Sequence, residues 1–133
     1  MEPPFSKHAL VYDRYALVQL FKAIEEFRGV DPEIPAQGIA LFLYSAIYPG
    51  CTMTDLQKNL GITQSSCSRN VSALSEWHRL EKPGLGLIVG TPDPMERRRK
   101  IVQLTEKGQQ LAVSLTEAVM NPVRLSSFSK TAR

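Results

Sequence analysis

Two short segments of the sequence are rich in side chains that bind anions or form hydrogen bonds. The first is a run of four consecutive basic residues, Arg97, Arg98, Arg99 and Lys100. The second combines an amide, hydroxyls and a guanidinium, and comprises Gln64, Ser65, Ser66, Ser68 and Arg69. Arginine and lysine bind phosphate groups, and amide, hydroxyl and guanidinium groups also bond to the edges of bases. The two segments therefore indicate binding of a polyanion rather than covalent chemistry.

The residue patterns of catalytic and metal sites are missing from the sequence. No Ser/His/Asp set, paired-carboxylate motif or metal-ligand cluster has the spacing of a local site, and His8 and His78 are isolated. Gly84, Gly86 and Gly90 do not have phosphate-loop spacing, since no helix follows them directly. We therefore expect a protein that is not an enzyme and uses no cofactor and no metal. The spacing of residues in the sequence does not exclude a catalytic triad assembled from residues that are far apart in the chain.

The composition is typical of one globular domain. Of 133 residues, 43% are hydrophobic and 22% are charged, and the formal net charge is +3. This length fits a single domain over residues 1–133. No apolar run reaches the ~20 residues of a membrane span, and no signal-peptide pattern opens the chain, so we expect a cytoplasmic protein. Cys51 and Cys67 lack metal-ligand spacing and predict neither a disulfide framework nor a zinc site.

Two apolar helices are predicted ahead of the polar segment. In residues 8–28, apolar side chains recur at helical spacing over a wide arc. Such a helix has to bury two sides, either at the centre of the domain or against a second chain. Gly29 ends this helix, and Pro35 opens the next one. The run Ile39–Tyr44 is apolar on every face, which predicts that the second helix is buried.

A helix-turn-helix is predicted from residue 52 to about residue 79. Thr52 is a good N-cap and Asp55 lies three positions later, the spacing of a capping box. Gly61 supplies the left-handed residue that ends this helix, and Thr63 caps the next one.

This second helix has one apolar and one polar side. On a helical wheel, Cys67 and Leu74 lie on the apolar side, and Ser65 and Arg69 lie on the polar side. A polar side of this kind suits insertion into a DNA major groove, with contacts near the helix N-terminus. Serines are also common on plain solvated helix surfaces, and this face alone favours that interpretation.

A basic β-hairpin directly after the helix-turn-helix favours DNA binding instead. Residues 87–89 and 100–104 are short β-prone runs around a loop of about eight residues. The three arginines lie at the end of this loop, where a β-wing can place them in a minor groove. Thr105 then caps a last helix that ends near residue 120, and we expect residues 121–133 to form a flexible tail.

Four segments occur in an order and spacing that match a known family. They are Pro49–Leu56, Leu60–Arg69, Asp93–Lys100 and Leu104–Gly108. With these segments the chain resembles the MarR family of winged helix-turn-helix transcriptional regulators. The resemblance implies a mainly α fold with a small β-hairpin wing. It also implies that the recognition helix contacts DNA through Gln64, Ser65, Ser66, Ser68 and Arg69.

In the wing, the resemblance implies an acid–arginine pair between Glu96 and Arg98, with Arg98 in the minor groove. The family usually has Asp where this sequence has Glu96, and the longer side chain leaves Arg97 or Arg99 as alternatives for that role. The predicted wing contacts are therefore Glu96, Arg97, Arg98 and Arg99.

The resemblance further implies a homodimer that binds a pseudo-palindromic operator in double-stranded DNA, usually as a repressor. Family members dimerise through the first helix and two long C-terminal helices, whereas only one moderate helix follows the wing before Pro122. We expect a dimer built from residues 8–28 and 105–120. A monomer, or pairing with a different protein, stays open.

Two further interpretations concern partners. A winged helix can also be an adaptor that docks onto a transcription or replication component, and this is the alternative function. A small-molecule effector is compatible with the family but not indicated, because aromatics at helical spacing usually form plain core. The side chains considered for such a pocket are Tyr12, Tyr15, Phe42, Tyr44 and Tyr48.

Overall fold

Five helices and a small antiparallel sheet make up the described part of the chain. The structure is a computed structural model, and it describes residues 10–78 and 82–121. In chain order the elements are α1 (Arg14–Val30), α2 (Ala36–Ile47), β1 (Cys51–Thr52), α3 (Met53–Leu60), α4 (Gln64–Leu74), β2 (Trp77–His78), β3 (Lys82–Pro83), β4 (Ile88–Pro92), β5 (Lys100–Leu104) and α5 (Glu106–Met120). This arrangement confirms the predicted winged helix-turn-helix, mainly helical with a small β wing.

Local capping signals begin and end the helices of the helix-turn-helix as predicted. The backbone N–H of Thr52 donates to the Asp55 carboxylate at 3.0 Å, and the backbone N–H of Asp55 donates to Thr52 Oγ1 at 3.0 Å. Gly61 ends α3 in the left-handed region, with φ of 62°. Thr63 Oγ1 accepts the backbone N–H of Ser66 at 3.1 Å and so starts α4. These bonds satisfy helix-end groups that water would otherwise have to solvate.

The wing is the β4–β5 hairpin, which extends farther than the sequence predicts. Antiparallel pairing runs from Ile88 opposite Leu104 to Pro92 opposite Lys100, so the loop between the strands covers residues 93–99. The short strand β1 pairs with the other edge of β5, giving the strand order β1-β5-β4. The strand β1 was not predicted, because two residues carry no alternation pattern.

Three predicted helix boundaries are wrong, the smallest error being that α1 ends at Val30 rather than at Gly29. The first helix begins at Arg14 rather than near residue 8, because the Asp13 carboxylate caps it by accepting the N–H groups of Tyr15 and Ala16. Helix α4 ends at Leu74 rather than near residue 79. Beyond α4, the chain turns into the small β2–β3 pair, whose existence the sequence did not indicate. Residues 1–9 and 122–133, which include most of the predicted tail, lie outside the described residues.

Two glycines permit close backbone contacts that fix the wing to the helices. A Cβ at Gly84 would overlap the carbonyl oxygen of Ser75, just after α4. A Cβ at Gly108 would overlap the carbonyl oxygen of Leu87, at the base of the wing. Both positions therefore require glycine, and they hold α4, the wing and α5 together as one packed body.

The hydrophobic core lies between α1, α2, α4 and the inner face of the sheet. Phe27 of α1 meets Phe42 of α2 edge to face, with ring centroids 5.6 Å apart. Helix α2 is not buried on every face as predicted, because Leu43 is 39% exposed and Ile47 is 65% exposed. Other fully buried side chains come from α2, the helix-turn-helix, the sheet and the residue just before β4, and include Leu41, Leu56, Cys67, Leu74, Leu87, Ile88 and Val102.

Candidate nucleic-acid interface

Helix α4, the predicted recognition helix, has the two unlike sides that the sequence predicts. Cys67 and Leu74 are buried. The predicted contact residues all reach the surface: Gln64, Ser65 and Arg69 are exposed, and Ser66 and Ser68 are half-buried. Burial raises the pKa of the Cys67 thiol, which lies 3.8 Å from the carbonyl oxygen of Met53. This cysteine therefore stays protonated at neutral pH and packs as a small apolar residue.

Hydrogen bonds within the first turns of α4 order its polar side. The Arg69 guanidinium donates to Ser66 Oγ at 3.2 Å, and the hydroxyls of Thr63 and Ser65 lie 3.3 Å apart. Within residues 10–78 and 82–121, Arg69 has no carboxylate partner. The remaining guanidinium donors thus face solvent beside two hydroxyls, a surface able to bond to phosphates or base edges.

A residue that the sequence reasoning missed fixes α4 against α2. Asn70 Nδ2 donates to Gln37 Oε1 at 2.9 Å and to the carbonyl oxygen of Ser66 at 2.9 Å. One amide thus joins the recognition helix to the start of α2. The sequence carried no signal for this bond, because the two residues are 33 positions apart.

The wing loop is closed by an ion pair between Asp93 and Arg99. Asp93 Oδ2 accepts Nε and Nη2 of Arg99 at 2.9 and 2.7 Å, and Oδ1 accepts the backbone N–H of Met95 at 2.9 Å. These bonds, first that of Met95 and then those of Arg99, hold the pKa of Asp93 below its usual range. Asp93 is only 7% exposed. Because its carboxylate bonds to Met95 and to Arg99, it orders both ends of the loop.

The predicted pairing of Glu96 with Arg98 is wrong. In the described wing the acid is Asp93 and its partner is Arg99, one of the two alternative arginines. The backbone explains the difference: the N–H of Asp93 donates to the carbonyl oxygen of Arg99 at 2.7 Å, which places these two residues opposite each other. Glu96 lies at the turn of the loop, where its carbonyl oxygen accepts the N–H of Arg99. Arg98 is exposed and forms no ion pair with a described carboxylate.

The first turn of α4 and the wing face each other across a cleft of about 400 Å³, here called the wing cleft. From the predicted site it is lined by Gln64, Glu96, Arg98 and Arg99. Strand β5 adds Lys100, the last residue of the basic run, and helix α3 adds three residues that were not predicted as contacts, Met53, Thr54 and Gln57. Thr54 and Gln57 share one polar side of α3 at a spacing of three residues, a signal that was present in the sequence. The structure thus brings the polar helix and the basic loop to one surface.

The aromatic side chains considered for an effector pocket are divided among different surroundings. Phe42 is fully buried in the core, whereas Tyr12 and Tyr15 are 67% and 55% exposed. Tyr44 stacks on Tyr48 with ring centroids 4.7 Å apart. The structure therefore does not gather the five rings around a common cavity.

The described residues offer neither a metal-binding cluster nor a membrane-spanning helix. Residues 10–78 and 82–121 contain no group of three or more His, Cys, Asp or Glu side chains placed to hold a metal ion. Among the helices of the same part of the chain, none is both long and apolar enough to cross a membrane.

The described fold is that of a MarR-like winged helix. It is similar to the transcriptional regulator Tm0710 from Thermotoga maritima, at 21% identity and a TM-score of 0.63, over 79% of this chain and 66% of that one. It is also similar to MepR of S. aureus in a DNA complex (24% identity, TM-score 0.60, 74% and 73% covered). A third similar structure is a mutant MarR from E. coli complexed with operator DNA. It is 19% identical with a TM-score of 0.56, over 78% of this chain and 69% of that one.

The chain thus spans about two thirds of the length of the regulators it matches in structure. No protein-family model matches the sequence, and no curated protein matches it. At these identities the similarity establishes the fold.

Proposed function

We propose that this protein is a sequence-specific regulator of transcription that binds double-stranded DNA. The observation that carries the proposal is the joint placement of α4 and the wing around the wing cleft. One packed body presents a polar helix and a basic loop on one surface, and we propose that the two enter neighbouring grooves of the duplex. The similar structures of MepR and MarR contain DNA, which supports this assignment.

Each element has a distinct role in the proposed complex. Helix α4 enters the major groove and contacts base edges and phosphates through its first turns, with Arg69 as the main cation. The wing enters the adjacent minor groove with Arg98, assisted by Arg97, where the negative potential favours a guanidinium. Arg99 forms an ion pair with Asp93, and its main role is to keep the loop closed.

We further propose that the protein acts as a homodimer and represses transcription in the cytoplasm. Helix α1 carries a row of apolar side chains, here called the α1 stripe: Leu17, Leu20 and Ile24 are 49%, 57% and 36% exposed. Helix α5 adds exposed Val113 and Met120. Apolar side chains in a row on a helix surface favour burial against a second copy, and a twofold dimer reads a pseudo-palindromic operator.

Arginine variants on a selected duplex test the proposal. Duplexes are enriched from genomic fragments, and affinity is then measured at several salt concentrations by fluorescence anisotropy. Arg69→Ala and Arg98→Ala should each weaken binding by about 1–3 kcal/mol, or about 5- to 150-fold. Arg28→Ala is the matched control, because Arg28 pairs with Glu25 on α1 at 2.7 Å. Binding that is absent, or insensitive to salt and to both arginines, would favour the adaptor function instead.

A further inference from the structure

Two neighbouring grooves of DNA are separated by one sugar–phosphate strand. A protein that places α4 in the major groove and the wing in the adjacent minor groove therefore straddles that strand. The wing cleft lies between these two elements, and residues of α3 and of the start of β5 form part of its walls. This inference rests on the proposed function. With α4 and the wing in their grooves, the walls of the cleft contact phosphates rather than bases.

The walls of the cleft have the chemistry that phosphates need. Lys100 is exposed at the first position of β5 and has no carboxylate partner in the described part of the chain. Thr54 is exposed and Gln57 is half-buried on α3, and both offer neutral donors to the same cleft. A cation together with fixed neutral donors is the usual combination in protein contacts to a DNA backbone.

One acidic side chain also lines the cleft. Glu96 is exposed, and within the described residues it forms no ion pair with any cation. A carboxylate at this place repels a phosphate, because the nearby Arg99, although it interacts electrostatically with Glu96, is already paired with Asp93. The charge of the cleft therefore depends on the balance between Lys100 and Arg98 on one side and Glu96 on the other.

We propose that the wing cleft is a seat for the DNA backbone between the two grooves, in which Lys100, Thr54 and Gln57 hold phosphates. This seat fixes the register of α4 on the duplex without reading sequence. The Glu96 carboxylate weakens the seat and so lowers the affinity for any duplex, whatever its sequence.

Charge-changing variants on the full chain test the seat, with the selected duplex and an unrelated duplex as probes. Lys100→Gln should weaken binding to both duplexes about fivefold to tenfold and reduce the slope of log affinity against log salt by about 0.9. Thr54→Val should weaken both without changing the slope, because it removes a neutral donor. Glu96→Gln should strengthen binding to both about twofold to fivefold. Lys22→Gln on α1 is the matched control for the loss of one positive charge and should leave both affinities unchanged.

A neutral phosphate analogue locates the contact on the DNA. Single methylphosphonates are placed along the strand between the two grooves of the selected duplex. The parent protein should lose affinity at one or two adjacent positions, and Lys100→Gln should lose no further affinity at those positions. If the parent binds the duplex but Lys100→Gln and Thr54→Val bind like the parent, the seat is wrong and the proposed function stands. If the parent binds no duplex at all, the proposed function fails and the seat fails with it.

Discussion

Truncation of Leu20 to alanine should weaken the proposed homodimer without unfolding the protein. Leu20 lies in the middle of the α1 stripe and is 57% exposed, so about half of its side chain is already packed within the chain. The other half is available to a second copy. An alanine at this position keeps the helix, because alanine has the highest helix propensity.

The size of the effect follows from that exposure. Full burial of a leucine side chain stabilises by about 1.5–3 kcal/mol, so burial of the exposed half of Leu20 contributes about 1–1.5 kcal/mol. A twofold contact contains this residue twice, which gives about 2–3 kcal/mol per dimer, or a dimer dissociation constant raised about 30- to 150-fold.

Sedimentation velocity over a range of protein concentrations measures this dissociation constant, and circular dichroism monitors the fold. Val89→Ala is the control, because Val89 is 41% exposed on the wing hairpin, away from α1. An association constant that does not change in Leu20→Ala, or that changes equally in Val89→Ala, would refute the assignment of α1 to the dimer contact. A parent protein that is monomeric at all concentrations would refute the homodimer itself.

Three further predictions concern the recognition helix and the wing. Thr63→Ala should lower the free energy of unfolding by about 1 kcal/mol in urea titrations and weaken DNA binding, whereas Thr63→Ser should preserve both, since it keeps the capping oxygen. The pKa of Asp93 is lowered in the folded state, so its stabilisation is present at neutral pH and is lost as the pH falls below about 4. NMR should therefore show a lower protection factor for the Met95 amide in acid, relative to its intrinsic exchange rate at the same pH, and Asp93→Asn should show the same loss of protection already at pH 7. Asn70→Ala should lower the free energy of unfolding by about 0.5–1.5 kcal/mol more than Asn59→Ala. The reason is that Asn70 bonds to Gln37 on α2, whereas Asn59 bonds only within its own helix, to the carbonyl of residue 55. Equal losses would argue against the bond between α2 and α4.

The helix-turn-helix was predictable because its signals are local. The pair Thr52 and Asp55, the left-handed Gly61 and the cap Thr63 each act within four residues of the helix end that they define. The polar and apolar sides of α4 followed from helical spacing alone. These features depend on the chain's own geometry and need no knowledge of its tertiary packing.

The wing pair and the end of α4 were not predictable in the same way. Asp93 meets Arg99 because the hairpin register places them opposite each other, and spacing in the sequence did not reveal that register. The end of α4 is fixed by Gly84, whose backbone packs against Ser75 from nine positions away. Exposure of Leu43 on α2 likewise depends on which neighbours surround that helix. Contacts between distant segments decided each of these outcomes.

Footprinting of a selected duplex tests the placement of α4 and the wing in neighbouring grooves, because it reports the two grooves separately. Dimethyl sulfate probes guanine N7 in the major groove, and hydroxyl radicals probe sugars along the minor groove. We expect major-groove protection next to minor-groove protection in each half-site, with Arg98→Ala losing only the minor-groove part and Arg69→Ala weakening the major-groove part. Protection confined to one groove, or unchanged in both variants, would contradict the assignment of α4 and the wing to neighbouring grooves.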